Sequence, residues 1–224
     1  MDERHESEYR LLFSQPRMVR DLLRGFLHEE WIGWLDPGTL EPRSIPAALD
    51  PLAGPLFWRL RWHGGSAAVY LLLRPLVVDD RFAAVRLWAD RGLFYQHLLH
   101  RRELHRGRPL PLVLPVVLYG GGSPWSAPRD AFELFQPIPG LLQRHLPRTP
   151  YLVFDATHDA LPPAAGDDNL VALLCHLERS LPESRSSWLT RLGLLLDAAG
   201  DEPLRRAWNG FLSRRFPVFP VTPC

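Results

Sequence analysis

The pattern of apolar and polar positions predicts helices at the start of the chain. Residues 8–30 carry apolar side chains at helical spacing, and Ser14 before Pro16 predicts the N-cap at which a second, longer helix begins. The following LDPGTLEPR contains a turn at Pro37-Gly38, and we expect an irregular connection with one short strand around Leu40.

The next segment changes to the alternation of a sheet. In residues 56–62, Leu and Trp alternate with Phe and Arg, and His-Gly-Gly-Ser links them to the apolar run 67–74, which predicts a β-hairpin. Helical spacing returns from Asp80 to about Leu104, which predicts one long helix. Its predicted apolar positions are Phe82, Val85, Trp88, Leu93, Tyr95, Leu98 and Leu99.

Two more apolar segments are typical of buried strands. The first is LVLPVVLY, which is followed by three glycines, and the second is YLVFDA at 151–156, with one or two short helices between them. After Pro163 the pattern is helical, with helices at 168–181, 186–199 and 202–214, the last opened by Asp201.

The order of these elements indicates the fold class. A mixed sheet flanked by helices gives an α/β or α+β domain with a helical C-terminal part. The long helix links two strands, so we expect those strands to pair in parallel.

Composition then limits the possible functions. The chain has 224 residues, 46% of them hydrophobic, which is enough for a sizeable core. A net charge of +1 means that any contact with DNA must be local. All 26 basic residues are arginines, so no chemistry here uses a lysine.

The location of the protein follows from what its sequence lacks. A charged N-terminus and the absence of an apolar run of about 20 residues favour a cytoplasmic protein without a membrane span. Cys175 and Cys224 have no metal-ligand spacing, and we expect both to be reduced.

Several strings, in order, resemble one family over about the first 160 residues. They are YRLLFSQPRMVRDLLRGFL, LDPGTLE, FWRLRWHGG, VYLLL, DRFAAVRL, GLFYQHLLHRREL, LPLVLPVVLYGGGSPW and PYLVFDA. They resemble the YhgA-like transposases, also called the recombination-promoting nuclease (Rpn) family. The resemblance implies a PD-(D/E)XK nuclease with a restriction-endonuclease-like αβββαβ core in residues 1–163, and a helical extension packed on it in residues 164–224.

The resemblance also implies Mg²⁺-dependent cleavage of DNA by carboxylates at strand ends. In that family an Asp normally stands three residues before the Trp of the "WR" strand, and Glu-x-Gln or Glu-x-Lys closes the next strand. These positions are Pro55, Arg74 and Leu76 here. Proline has no ligating side chain, arginine repels Mg²⁺, and leucine lacks a polar group. We therefore expect a degenerate centre, with Mg²⁺ as a cofactor only if the protein is active.

Other acids offer a second possibility. Glu41, Asp80 and Asp155 could form a relocated metal site, with Asp155 as the best single candidate. The alternative is that Asp80 caps the long helix, Asp155 caps a strand end, and Glu41 pairs with an arginine. We favour these structural roles.

A DNA contact would depend on a few arginines. Arg74 lies where a substrate phosphate would approach, and the basic patch HRRELHRGR adds Arg101, Arg102, Arg106 and Arg108. The same patch also fits a solvated helix end whose cations complement the helix dipole.

Three further motifs favour structural roles. His97 and His100 fit surface histidines better than a metal site, and YGGGSPW fits a tight turn better than a phosphate cradle. The residues favoured for the core over base stacking are Trp58, Trp62, Trp88 and Trp125.

Three functions therefore remain open. The protein could cut DNA through a rearranged acid set, act as a non-catalytic DNA- or protein-binding module, or be a mobile-element-like copy without a selected activity. The oligomeric state and any DNA sequence preference stay open as well.

Overall fold

The computed structural model describes residues 2–27, 30–44, 54–63, 68–105, 107, 109–161 and 168–216. Its helices are α1 (Asp2–Phe13), α2 (Pro16–Gly25), α3 (Ala83–His100), α4 (Gly140–Gln143), α5 (Leu170–Arg179), α6 (Arg185–Ala199) and α7 (Glu202–Arg215). Its strands are β1 (Leu35–Arg43), β2 (Leu56–Trp62), β3 (Ala68–Leu76), β4 (Leu112–Tyr119) and β5 (Leu152–Asp155). Short 3₁₀ helices lie at Glu30–Trp34, Ala131–Leu134 and Pro182–Ser184.

The five strands form one mixed sheet in the order β1-β2-β3-β4-β5. The first three strands pair antiparallel, whereas β3 with β4 and β4 with β5 pair in parallel. Helix α3 is the crossover between β3 and β4, as its length and position predict. The prediction of a mixed α+β fold with an αβββαβ element order and a helical C-terminal part is confirmed.

Apolar cores lie on both faces of the sheet. One face packs against α1, α2 and the C-terminal helices, and there the fully buried Trp58 donates from Nε1 to the carbonyl of Phe13 at 3.2 Å. The other face packs against α3, with Phe57, Tyr70 and Phe94 at its centre. Because residues of α5–α7 share the first core with α1 and α2, the C-terminal helices cover the same face of the sheet. The division at residue 163 stays a prediction.

A buried carboxylate ties α5 to α2. Asp21 accepts from the backbone N–H of Leu170 at 3.0 Å and from Nε of Arg17 at 3.0 Å. Burial raises the pKa of Asp21, while these two bonds act in the opposite direction. Asn169 caps α5 through its side chain, which accepts from the N–H groups of Val171 and Ala172.

The predicted N-cap of α2 is corrected. Gln15, not Ser14, is the N-cap of α2, and the Ser14 hydroxyl instead donates back to the carbonyl of Leu11 at 2.7 Å. Proline in the first turn forces the residue before it into extended backbone, which moves the cap to Gln15.

The predicted irregular connection is a nine-residue edge strand. The expected turn at Pro37-Gly38 lies within β1, where Asp36 Oδ1 accepts from the N–H of Gly38 at 2.9 Å and the pairing register shifts before Glu41. An edge strand tolerates proline and a bulge because one side of its backbone has no strand partner.

The predicted apolar positions of α3 are mostly exposed, although Leu98 is buried and Tyr95 packs against the core as expected. Trp88 is 43% exposed and Phe82 is 55% exposed, whereas Ala84, Leu87 and Phe94 are buried. The apolar side chains of this helix lie on more than one of its faces, so their spacing alone does not identify the face that packs. The placement of Trp88 in the core is therefore wrong, and that of Trp58 is confirmed. Trp62 and Trp125 are partly buried against the two cores.

None of the helices within the described residues is long and apolar enough to cross a membrane. The predicted tail after Arg214 lies mainly outside the described residues.

Helix α3 ends in a Schellman motif that has arginine where glycine is usual. Glu103 donates its N–H to the carbonyl of Leu98 and Arg102 to that of Leu99, each at 3.0 Å. Arg102 has φ of 57°, in the left-handed region. A side chain in this region is strained because its Cβ crowds the backbone.

We expect Arg102→Gly to raise the free energy of unfolding by about 0.5–1 kcal/mol, because relief of the strain exceeds the entropy that glycine loses on folding. The matched control is Arg101→Gly, since Arg101 has φ of −77° and gains no such relief. Urea unfolding measures both variants. Equal destabilisation by the two substitutions would contradict the prediction.

Candidate functional site at the end of the third strand

The three positions at which the sequence departs from the nuclease pattern lie at one place in the sheet. Leu56 pairs with Leu73, which brings Pro55, just before β2, beside Arg74 of β3. Alternation along β3 places Arg74 and Leu76 on the sheet face that α3 covers. The fold therefore brings these three positions together at one end of the sheet.

Arg74 forms a mostly buried ion pair with Asp90 of α3. Arg74 Nη1 donates to Asp90 Oδ2 at 2.6 Å, and the two side chains are 17% and 9% exposed. Burial raises the pKa of Asp90, and this effect exceeds the lowering caused by the Arg74 charge. The position that would hold a carboxylate is thus occupied by a cation with its own counter-charge.

The other two positions offer no metal ligand. Pro55 is buried, and Leu76 is 7% exposed within the core under α3. Mg²⁺ prefers oxygen ligands in octahedral geometry. A guanidinium, a proline ring and a leucine side chain do not fit that requirement, so the site expected from the resemblance does not suit Mg²⁺ in this chain.

Asp155 lies at the end of β5 and organises two loops. Its carboxylate accepts from the N–H groups of Trp125, Thr157 and His158 at 3.3, 3.0 and 3.0 Å, and from the Thr157 hydroxyl at 2.8 Å. The His158 ring Nδ1 lies 3.1 Å from the same carboxylate. Only 3% of Asp155 is exposed, so this acid is committed to internal bonds.

Asp79 holds the same loop from its other side, and sequence reasoning missed it. Asp79 accepts from the N–H groups of Ser126 and Ala127 at 3.3 and 3.0 Å and from the Ser126 hydroxyl at 2.5 Å. Burial, followed by the charges of Asp79 and Asp155, raises the pKa of Tyr119. The sequence signal for Asp79 is the double acid in VVDD, in which it precedes Asp80.

The remaining candidate acids pair with arginines. Asp80 accepts from the N–H of Phe82 at 2.9 Å and from Arg86 Nε at 2.7 Å. Glu41 accepts from Arg59 Nη1 at 3.0 Å. Across the described residues, no group of three or more His, Cys, Asp or Glu side chains could hold a metal ion. A catalytic role for Asp155, Asp80 and Glu41 stays a prediction.

The glycine run after β4 packs against aromatic rings. A Cβ on Gly120 would lie 2.6 Å from the Tyr9 ring, and one on Gly121 would overlap the Tyr119 ring. The N–H of Gly120 donates to the carbonyl of Leu76 at 3.1 Å. Close packing explains these two glycines without a bound phosphate.

The predicted DNA-contacting arginines differ in availability. Arg74 is engaged by Asp90, while Arg101 and Arg102 are exposed just after α3. Arg106 and Arg108 lie outside the described residues. Of the two histidines on α3, His100 bonds the carbonyl of Gln96 through Nδ1 at 2.8 Å. DNA binding by these arginines stays a prediction.

The Arg74–Asp90 pair leads to a stability prediction. Asp90→Leu leaves a guanidinium without its counter-charge in an apolar site, and we expect the free energy of unfolding to fall by about 3–5 kcal/mol. Arg74→Met combined with Asp90→Leu removes both charges. The free energy of unfolding of this double variant should lie within about 1 kcal/mol of the wild-type value, or exceed it. Urea unfolding measures both.

Glu41→Gln is the matched control, because the Glu41–Arg59 pair is more exposed and should contribute at most about 1 kcal/mol. A double variant as unstable as Asp90→Leu alone would show that the pair itself stabilises the fold.

The raised pKa of Asp90 also makes the stability of the fold depend on pH. The native carboxyl binds a proton more readily than the unfolded one, whose pKa is about 3.9. The resulting stabilisation is full below that unfolded value and is lost as pH rises through the native pKa. We expect the stability of the wild type relative to Asp90→Asn to fall with rising pH in urea titrations from about pH 3 to 7. A constant difference would argue against a raised pKa.

Comparison with known proteins gives a family for this arrangement. The family model described as "Putative transposase, YhgA-like" matches residues 3–202. The chain is also 24% identical over 129 residues to recombination-promoting nuclease RpnD of Escherichia coli O157:H7, covering 54% of this chain and 48% of that protein. The match thus spans about half the length of that curated relative.

No solved structure matches the chain. The family model, however, covers most of its length and includes the whole sheet, α3 and the Arg74–Asp90 pair. The protein therefore belongs to the YhgA-like transposase family.

Proposed function

We propose that this protein acts in DNA recombination as a nuclease-fold member of its family in which metal-dependent cleavage is lost or strongly weakened. The family membership and the name of the relative RpnD support the link to recombination. We further propose that it binds DNA without cutting it. DNA is then the partner, and no metal takes part at the position of the family's centre.

The Arg74–Asp90 pair is the observation that carries this proposal. A metal centre needs carboxylates that are free to bind a cation, whereas here a cation already neutralises the nearby carboxylate at 2.6 Å. Arginine cannot lose its charge at any ordinary pH, so deprotonation does not vacate the position. A divalent ion would meet a fixed positive charge at the point where it should be coordinated.

The other acids support the same conclusion. Asp155 and Asp79 satisfy backbone donors of one loop, and recruiting either carboxylate to a metal would leave those donors unpaired. An unpaired buried donor costs about 1–3 kcal/mol, so each recruited carboxylate weakens the loop. A relocated metal centre would therefore destabilise the loop that these carboxylates hold.

Retained DNA binding is supported by the arginines beyond α3. Arg101 and Arg102 are exposed, and neither pairs with a carboxylate of the described part of the chain. Arg102 also keeps its side chain in a strained backbone conformation where glycine would be more stable. Arginine is suited to phosphate because its planar fork donates two parallel hydrogen bonds.

Plasmid nicking tests the loss of cleavage. We expect no nicking by the wild type with Mg²⁺, Mn²⁺ or EDTA. A rebuilt variant carrying Pro55→Asp, Arg74→Glu and Leu76→Gln, with Asp90→Asn to remove the orphaned carboxylate, should gain nicking that EDTA abolishes. The matched control replaces the new acids by amides, with Pro55→Asn and Arg74→Gln, and should stay inactive.

Nicking by the wild type that requires a metal would contradict the proposal. If Asp80→Ala or Asp155→Ala then abolished it while circular dichroism and melting temperature stayed unchanged, the relocated acid set would be the centre. A folded rebuilt variant without activity would show that more than these positions has been lost.

A further inference from the structure

A cleft of about 450 Å³ lies between the end of β1 and the C-terminal half of α3. Its volume falls in the range of small-ligand sites. It lies on the same sheet face as the Arg74–Asp90 pair, one helical turn beyond Asp90 at its nearest lining residue, Phe94. Its lining residues are Pro42, Arg43, Ser44, Phe94, His97, Leu98, Arg101 and Glu103.

The floor of the cleft is apolar and already packed. Phe94 stacks on Phe57 with ring centroids 4.7 Å apart and an interplanar angle of 11°, and it contacts Tyr70 at the same centroid distance. Only 1% of Phe94 is exposed. The ring therefore offers no free face on which a nucleobase could stack, so a ligand must be held by the polar rim.

The rim carries more positive than negative charge. Arg43 and Arg101 face one acid, Glu103, with the His97 ring beside them. Glu103 Oε2 accepts from Arg43 Nη2 at 3.0 Å, and the two side chains are 33% and 39% exposed. Arg101 has no carboxylate partner in the described ranges, which leaves one uncompensated positive charge at the cleft.

Arg43 is also incompletely satisfied. Its Nε is buried and has no hydrogen-bond partner among the residues that the structure describes. A carboxylate that binds one terminal nitrogen leaves this second donor of the guanidinium fork unused. An anion with several acceptor oxygens could engage both donors at once.

We propose that this cleft binds a backbone phosphate of DNA, and that Glu103 competes with the phosphate for Arg43. In the free protein the Glu103 carboxylate occupies the fork of Arg43. On binding, the Arg43 side chain turns so that its buried Nε faces the cleft; a phosphate oxygen pair then takes Nε and a terminal nitrogen of Arg43, and Arg101 contacts the phosphate from the other side. This assignment rests on the proposed DNA-binding function and locates the contact.

The end of α3 does not prevent anion binding. A helix C-terminus carries partial negative charge on its last carbonyls, which would disfavour phosphate. Here the carbonyls of His97, Leu98 and Leu99 accept from the N–H groups of Arg101, Glu103 and Arg102. The arginine side chains at this end add full positive charges that exceed the dipole's partial one.

Fluorescence anisotropy with a labelled DNA duplex tests the site, because the arginine and glutamate substitutions should change Kd in opposite directions. Arg101→Gln and Arg43→Gln should each weaken binding about tenfold and lower the slope of log Kd against log salt by about one. Glu103→Gln frees Arg43 and should tighten binding about threefold. The control is Arg214→Gln on α7, an exposed arginine of the opposite sheet face, which should leave Kd unchanged.

The outcomes separate this inference from the proposed function. Kd values equal to wild type in all three cleft variants would overturn the cleft and leave the loss of cleavage standing. Weaker DNA binding by Glu103→Gln would also overturn the cleft. If the Arg43–Glu103 pair only supported the local structure, removing either partner would weaken binding. Metal-dependent nicking by the wild type would refute the proposed function even if the three signs held.

Calorimetry with inorganic phosphate identifies the source of the anion. We expect the wild type to bind inorganic phosphate only weakly. Arg101→Gln should still weaken DNA binding about tenfold. If that substitution abolished phosphate binding and left DNA binding unchanged, the ligand would be a free phosphate ion and the DNA assignment would be wrong.

Discussion

Burial of β3 on both faces is the constraint on which the site depends. This strand pairs with β2 on one side and β4 on the other, and cores cover it above and below. Arg74 is the one charged residue of β3. A charge in such a strand must have a counter-charge within reach, since an unpaired buried ion is far more costly than an ion pair.

That constraint explains why Asp90 stands on the core face of α3. The crossover geometry places this helix over β3, so an acid on the third turn faces the end of the strand. An arginine at this position of the strand is therefore compatible with the fold only if the helix supplies an acid. The Arg74–Asp90 pair supplies that opposite charge.

The sequence predicted strands β2 to β5 and the crossover well because their signals are local. Alternation in residues 56–62 and the apolar run of β3 follow directly from burial on a sheet. The face of α3 was not predictable, since Trp88 and Leu87 are both apolar and only the sheet decides which packs. The Arg74–Asp90 pair also could not be predicted, because residues sixteen apart meet through tertiary register rather than spacing. The double acid in VVDD marks Asp79, but its role did not follow from the sequence, because its partners Ser126 and Ala127 lie on a loop after another strand.

Two guanidinium–carboxylate pairs on one sheet face show how burial determines what an ion pair can do. Arg74 and Asp90 are mostly withdrawn from water, so separating them would leave charges that no solvent could compensate. Arg43 and Glu103 are about one third exposed, so water can take over the Glu103 carboxylate when another anion displaces it. The first pair is therefore fixed, whereas the second is the pair that the proposed phosphate contact requires to open. The same chemical pairing thus blocks the position that the resemblance assigns to a metal ligand, and under the proposed function it leaves the neighbouring cleft open to an anion.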